Sequence, residues 1–210
     1  MKITRKFLYS ALVAGTGIFF FVILAFSKKE SGIPGYKEPK GVYANSAEWQ
    51  ADKKTIEGFL AQLKAKPDDY KTMIKLAQAY VQESRVSGDH AYYDKAALQL
   101  TDMILAKEPE NFEALCCKGT VLLSQHHFSD ALVIANQASA LNPDNAFIYG
   151  LRCDANVELG NYDEAVKMAD KMISIRPDMR SYSRVSYLRE IYGDMPGAIS
   201  AMKLAVSAGY

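Results

Sequence analysis

The chain has 210 residues, of which 49% are hydrophobic and 23% are charged, and its 25 basic and 24 acidic side chains leave a net charge of +1. This balance argues against a nucleic-acid-binding protein, because such proteins concentrate basic residues on one surface. The hydrophobic content is too high for a disordered chain, and three cysteines make no disulfide framework in a chain of this length. We therefore expect one folded domain with short appendages.

Residues 1–26 are a hydrophobic segment with a basic start. Lys2, Arg5 and Lys6 precede residues 7–26, which carry no charge. A helix of that length is about 30 Å long and matches the hydrocarbon core of a bilayer. We favour a retained membrane anchor, because the core of a cleaved signal peptide is usually only about 7–15 residues long; cleavage is the alternative. The body is expected to be exported, in the periplasm if the anchor is retained and secreted if it is cleaved.

Residues 27–45 have the composition of a spacer. Pro34, Gly35, Pro39 and Gly41 stand among lysines with no apolar period. Such a stretch cannot bury enough surface to offset the loss of chain entropy, so we expect it to be extended and mobile.

Residues 46–66 predict a leading amphipathic helix capped by Asn45 or Ser46. Its apolar residues share one face: Trp49, Ile56, Phe59, Leu60 and Leu63.

The rest of the chain is periodic. Pro109, Pro143 and Pro177 are evenly spaced, and the segments 119–143 and 153–177 superimpose on each other at the same offset. Each unit predicts a helical hairpin that closes at a proline and covers its apolar face only by stacking on a neighbour. The interval from Pro67 to Pro109 is longer than this period, and we assign the surplus to a longer loop over 84–92, which includes His90.

The first-helix motif Met73-x-x-Leu76-Ala77-x-x-Tyr80 is similar to W-x2-L-G-x2-Y of the tetratricopeptide repeat. The even spacing of the prolines also matches the period of that repeat, which is about 34 residues. Over residues 59–210 the chain resembles this family, and stretches such as LGNYDEAV resemble bacterial envelope repeat proteins of unassigned role. The resemblance implies an all-α, right-handed α-solenoid of about four hairpins behind the leading helix and the N-terminal hydrophobic helix. The expected hairpins are 70–109, 112–143, 146–177 and 180–210.

The sequence contains no phosphate loop, zinc helix, nucleophile turn or C-x-x-C pair. His126 and His127 fall in a predicted turn, and Cys116, Cys117 and Cys153 are interpreted as buried inert thiols, with a disulfide from Cys153 to one of the other two as the alternative. We therefore predict no catalytic residues, no cofactor and no metal, and the chain is not expected to be an enzyme.

By analogy with the family, the first helices should line a protein-binding groove. Its expected residues are Lys71, Lys75, Gln78, Glu113, Cys116, Cys117, Thr120, Phe147, Leu151 and Asp154. Some members of the family bind a chaperone's terminal carboxylate with a lysine–asparagine clamp. Beyond Lys71 and Lys75 this sequence lacks the asparagines and the second basic cluster of that clamp, so we expect a mixed apolar groove for an extended or helical segment.

The resulting hypothesis is a non-catalytic scaffold tethered to the membrane that binds a protein partner and no nucleic acid. The alternative is an accessory or assembly subunit of an envelope enzyme or of a secretion or pilus-type complex. In the last hairpin Ala198, Met202 and Val206 share a face that is expected to stay partly open, which predicts either self-association through this hairpin or its marginal stability.

Overall fold

The computed structural model describes residues 32–39, 44 and 46–209. Nearly all of them, from Pro34 onward, belong to one compact unit. The expected membrane segment at 1–26 lies outside the described residues. Within the ranges described, no helix is long and apolar enough to cross a membrane.

In this part of the chain the structure has nine helices and no strand. The helices are α1 Ala47–Ala65, α2 Tyr70–Ser87, α3 His90–Leu105, α4 Phe112–Ser124, α5 Phe128–Leu141, α6 Ala146–Glu158, α7 Tyr162–Ile175, α8 Met179–Ile191 and α9 Met195–Ala208.

The helices pair into four antiparallel hairpins: α2 with α3, α4 with α5, α6 with α7 and α8 with α9. The first helix of each hairpin also contacts the first helix of the next, so α2, α4, α6 and α8 lie side by side. The leading helix α1 packs on α2. The expected all-α, right-handed α-solenoid of four hairpins after a preceding helix is confirmed.

Polar residues set where the helices begin. Ser46 caps α1, since its side chain accepts a hydrogen bond from the backbone N–H of Trp49. Asn111 caps α4 and Asn145 caps α6 in the same way, and Asp178 forms a capping box with Ser181 at the start of α8. Each cap satisfies amide groups that have no partner within the helix.

Small residues bring the helices close together. Ala131, Ala135 and Ala138 of α5 are fully buried, as are Ala165 and Ala169 of α7. Because alanine has only a methyl group, a neighbouring helix can approach these faces closely, and the core runs as a continuous layer between successive hairpins.

The expected loop over 84–92 is wrong. Helix α2 continues to Ser87 and α3 begins at His90, so only Gly88, at φ 73°, and Asp89 join them. The surplus residues lengthen both helices instead. They do so because buried Asp94 of α3 accepts hydrogen bonds from Ser84 of α2, at 2.6 Å, and from Ser124 of α4, at 2.8 Å.

Residues 34–39, called the strap below, do not form the expected mobile spacer. The ring of Tyr36 lies 6.0 Å from that of Trp49 and 6.3 Å from that of Tyr93. The Tyr80 hydroxyl lies 2.7 Å from the carbonyl oxygens of Pro34 and Gly35 and donates to them. The hydroxyls of Tyr92 and Tyr93 also donate to carbonyl oxygens of the strap, and ion pairs join Lys37 to Asp89 and Glu38 to Lys53. None of these contacts produces an apolar period in the sequence.

Candidate protein-binding groove

Two connected cavities run along the first helices. The larger, of about 980 Å³, is bounded mainly by α4, α6 and α8, and the smaller, of about 220 Å³, by α2, α4 and α6. Arg85, Thr120 and Phe147 line both cavities. We call the two together the groove.

Most of the residues that the sequence assigned to a binding surface meet in this groove. Seven of the ten line it: Gln78, Cys116, Cys117, Thr120, Phe147, Leu151 and Asp154. Glu113 instead borders a separate surface cavity beside Pro109. Lys71 and Lys75 are exposed on α2, nearer its N-terminus than Gln78. The structure thus brings together seven of the ten residues, from the first three hairpins, and the binding role of all ten stays a prediction.

The groove is lined with apolar side chains between charged ones. The large apolar side chains that line the groove are those of Leu123, Phe128, Phe147, Leu151, Met172 and Ile175. Phe147 is 40% exposed, so an aromatic ring remains open to the groove. Because large aromatic side chains supply much of the energy at protein interfaces, Phe147 is a suitable anchor point for a partner.

Arginines surround this apolar lining. Arg184 forms a bidentate ion pair with Asp154, and Arg176 lies 3.2 Å from Asp178. Arg85 and Arg180 form no ion pair with other described residues. These two guanidinium groups are therefore available to a carboxylate brought in by a ligand.

Sequence reasoning missed these arginines, although the repeat register contained two of them. Arg180 and Arg184 lie one hairpin after Phe147 and Leu151 in that register, so extending the predicted groove by one unit would have found them. Arg85 was missed for another reason. It lies in the last turn of α2, within the stretch that we expected to be a loop.

The three cysteines are free and buried, as interpreted from the sequence. Burial raises the pKa of each thiol from 9.0 to about 12. At neutral pH a thiol with this pKa is almost entirely protonated and is a poor nucleophile. The environment of Cys116, Cys117 and Cys153 is thus that of packing residues.

The histidines occupy structural positions. His126 takes φ 61° in the turn between α4 and α5, where the next two hairpins have Gly160 and Gly193 at positive φ. His90 begins α3, and its Nδ1 lies 2.8 Å from Ser84 Oγ and 3.3 Å from Asp94 Oδ2. Among the residues described, no three His, Cys, Asp or Glu side chains are grouped so that they could hold a metal ion.

Comparison with known proteins identifies the repeats. Residues 122–203 match the tetratricopeptide repeat family. This part of the chain consists of tetratricopeptide repeats. The chain is 33% identical over 92 residues to small glutamine-rich tetratricopeptide repeat-containing protein 2 of Saccharomyces cerevisiae, a match that covers 43% of this chain and 27% of the yeast protein. The chain thus spans only about a quarter of the length of that relative.

Solved structures share the architecture. The thermophilic TPR protein TTC0263 of Thermus thermophilus superposes with a TM-score of 0.65 at 17% identity, covering 77% of this chain and 84% of that one. MamA of Desulfovibrio magneticus gives a TM-score of 0.61 at 16% identity, with coverage of 77% and 88%. Tetratricopeptide repeat proteins are generally non-catalytic scaffolds, and the fold supports a protein–protein interaction role.

Proposed function

We propose that this chain is a non-catalytic scaffold that binds a segment of a partner protein in its groove and is held at a membrane by residues 7–26, with the repeats exported into a bacterial envelope. The groove supports the first part, because an exposed aromatic ring and several guanidinium groups line the same cavities. The uncharged run behind Lys2, Arg5 and Lys6 supports the second part.

The chemistry of the groove suggests what the partner segment contains. An apolar side chain would pack on Phe147 and Leu151, which lie one turn apart on α6. A carboxylate next to it would pair with Arg85 or Arg180. Asp144 and Glu158 also line the groove and form no ion pair with other described residues, so they would repel a uniformly acidic ligand. The preferred segment is therefore an apolar one with few charges, extended or helical.

A photo-crosslinking experiment tests the groove. A photoreactive phenylalanine analogue replaces Phe147 in the full chain, and in a matched control it replaces Val133 of α5, which is 56% exposed and does not line the groove. We expect a crosslinked partner at position 147 only, and we expect Phe147→Asp but not Val133→Asp to abolish co-purification. Equal crosslinking at both positions would contradict the proposal. The identity of the adduct distinguishes a free-standing scaffold from an accessory subunit of an envelope enzyme or a secretion complex.

The membrane tether is tested separately. The full chain is expected to remain in the membrane fraction after a carbonate wash, whereas the double variant Ile18→Arg/Val22→Arg is expected to be released, because two charges in the apolar run oppose insertion. The mass of the mature chain distinguishes a retained anchor from a cleaved signal peptide. Release of the unsubstituted, uncleaved chain by the wash would overturn this part of the proposal.

A further inference from the structure

Helix α9 has an exposed apolar stripe. Met195, Ile199, Met202 and Val206 are exposed to 53%, 57%, 44% and 54%. Their alternating spacing of four and three places them on one face of the helix. We call these four residues the α9 stripe. The inward face consists of Ala198, Ala201 and Ala205, which are buried.

The stripe corresponds to a face that is covered in the preceding hairpin. In the repeat register Ile199 and Met202 occupy the positions that Val166 and Ala169 hold in α7. Val166 and Ala169 pack in one cluster with Val185 and Leu188 of α8, the first helix of the next hairpin. The same face of α9 is thus built to receive a helix. Among the described residues α9 is the last helix, and none covers the stripe.

The residue types in the stripe favour a second α9 as the occupant. The spacing is that of alternating d and a positions in a heptad, with Met195 and Met202 at d and β-branched Ile199 and Val206 at a. β-branched residues at a with unbranched-β residues at d favour two-stranded helix pairs. Lys203 is the only charged residue between Met195 and Ala208, so two copies can approach without a cluster of like charges.

The available area also fits a self-contact of modest affinity. The four side chains of the stripe expose an apolar patch on the order of 400 Å², within the range of the largest patch on a typical monomer. A standard interface buries about 800 Å² per partner, so this contact is smaller than standard and the dimer should form only as the concentration rises.

We propose that the α9 stripe binds the α9 stripe of a second copy of this chain, in a two-fold symmetric dimer. A two-fold contact presents the same surface from both copies, so the matching chemistry follows from the symmetry. The dimer joins two arrays at their last hairpins and leaves the groove of each between its own first helices. Two grooves in one assembly give higher avidity for a partner that offers two segments.

Sedimentation equilibrium of the full chain, in a single detergent for all variants, tests this proposal. The unsubstituted chain is expected to dimerise with rising concentration. Ile199→Glu should weaken the dimer at least about tenfold, since it places a charge between the two α9 helices of the dimer. The matched control is Leu204→Glu. Leu204 is 51% exposed on the opposite side of α9, so this variant should dimerise like the unsubstituted chain. Circular dichroism establishes that each variant remains helical.

Disulfide trapping gives a second readout. Ile199→Cys is expected to form a covalent dimer under mild oxidation, whereas Leu204→Cys and the unsubstituted chain, whose own cysteines are buried, are not. A chain that stays monomeric at the highest concentration, or equal weakening by Ile199→Glu and Leu204→Glu, would overturn the proposal. The proposal would also be overturned if Ile199→Glu abolished the binding of a different protein and left the dimer of this chain intact. The crosslinking experiment at Phe147 tests the groove, and its result does not depend on whether the chain dimerises.

Discussion

The guanidinium of Arg184 in α8 binds the carboxylate of Asp154 in α6 through two hydrogen bonds, 2.7 Å from Nε to Oδ1 and 2.6 Å from Nη2 to Oδ2. It lies against Gly150, where a Cβ would come within 3.3 Å of Arg184 Cζ. A glycine on one helix thus makes room for an arginine from the next. The pair links the third and fourth hairpins at the edge of the groove.

Arg184→Ala is expected to lower the free energy of unfolding of the last hairpins by about 1–3 kcal/mol, because it leaves a partly buried carboxylate without its partner. Arg189→Ala is the matched control. It removes an exposed pair with Asp194, 2.8 Å apart, and should cost less than about 1 kcal/mol. Urea denaturation followed by circular dichroism measures both. Equal losses would show that the Arg184–Asp154 pair contributes no more than a surface contact.

Glu83 predicts a pH dependence of stability. It is 2% exposed, and its Oε1 accepts no hydrogen bond within the described part of the chain. Burial, and then the negative charge of Asp52, raise the pKa of Glu83 above its ordinary value of 4.5. The folded state therefore keeps a proton that the unfolded chain releases, and stability falls as the pH rises from the ordinary pKa through the raised one.

Glu83→Gln should remove this loss. We expect the variant to be more stable than the unsubstituted chain at about pH 8, and the difference to shrink towards about pH 4, where the carboxyl group is protonated in both states. Denaturant titrations at the two pH values measure it. Glu57→Gln, at an exposed position on α1, serves as the control and should show no such pH-dependent gain. A Glu83→Gln variant destabilised equally at both pH values would contradict the prediction.

His126 occupies a backbone conformation that favours glycine. Its φ is 61°, and its ring lies 5.4 Å from that of Phe128 in an edge-to-face contact. His126→Gly and His126→Ala both remove the ring contact, but only glycine relieves the backbone strain. We therefore expect the glycine variant to be more stable than the alanine variant by about 1 kcal/mol in thermal or urea unfolding. The reverse order would show that the turn adapts to a side chain without strain.

The strap contacts the single tryptophan of the chain, which makes its docking measurable. Trp49 is 3% exposed and lies beside Tyr36. Tyr36→Ala should shift the Trp49 emission to the red, increase its quenching by iodide and lower stability by about 1–2 kcal/mol, through lost aromatic packing. Lys37→Ala, which removes an ion pair with Asp89 from the same strap, should leave the emission unchanged. A Trp49 spectrum insensitive to Tyr36→Ala would indicate that the strap does not cover this residue.

The period of Pro109, Pro143 and Pro177 and the small residues at Ala131 and Ala165 predicted the hairpins and their stacking correctly. They could do so because repeat architectures depend on contacts between neighbouring units, and the same local pattern recurs in each. Seven of the ten groove residues assigned by analogy with the family line the two cavities, whereas Arg85, Arg180 and Arg184 were missed. Local sequence patterns thus determined the fold class and much of the candidate site.

Tertiary structure alone decided the features that depend on contacts between distant residues. The polar stretch around Ser84 is typical of a loop, yet it is helical because Ser84 donates a hydrogen bond to buried Asp94, which also accepts one from Ser124. The strap is held by Tyr80 and Tyr93, whose hydroxyls donate to carbonyl oxygens far earlier in the chain. Neither contact leaves a periodic pattern or a motif in the sequence. A hydrogen bond between remote groups needs only that they lie close in space, and only the folded chain brings them together.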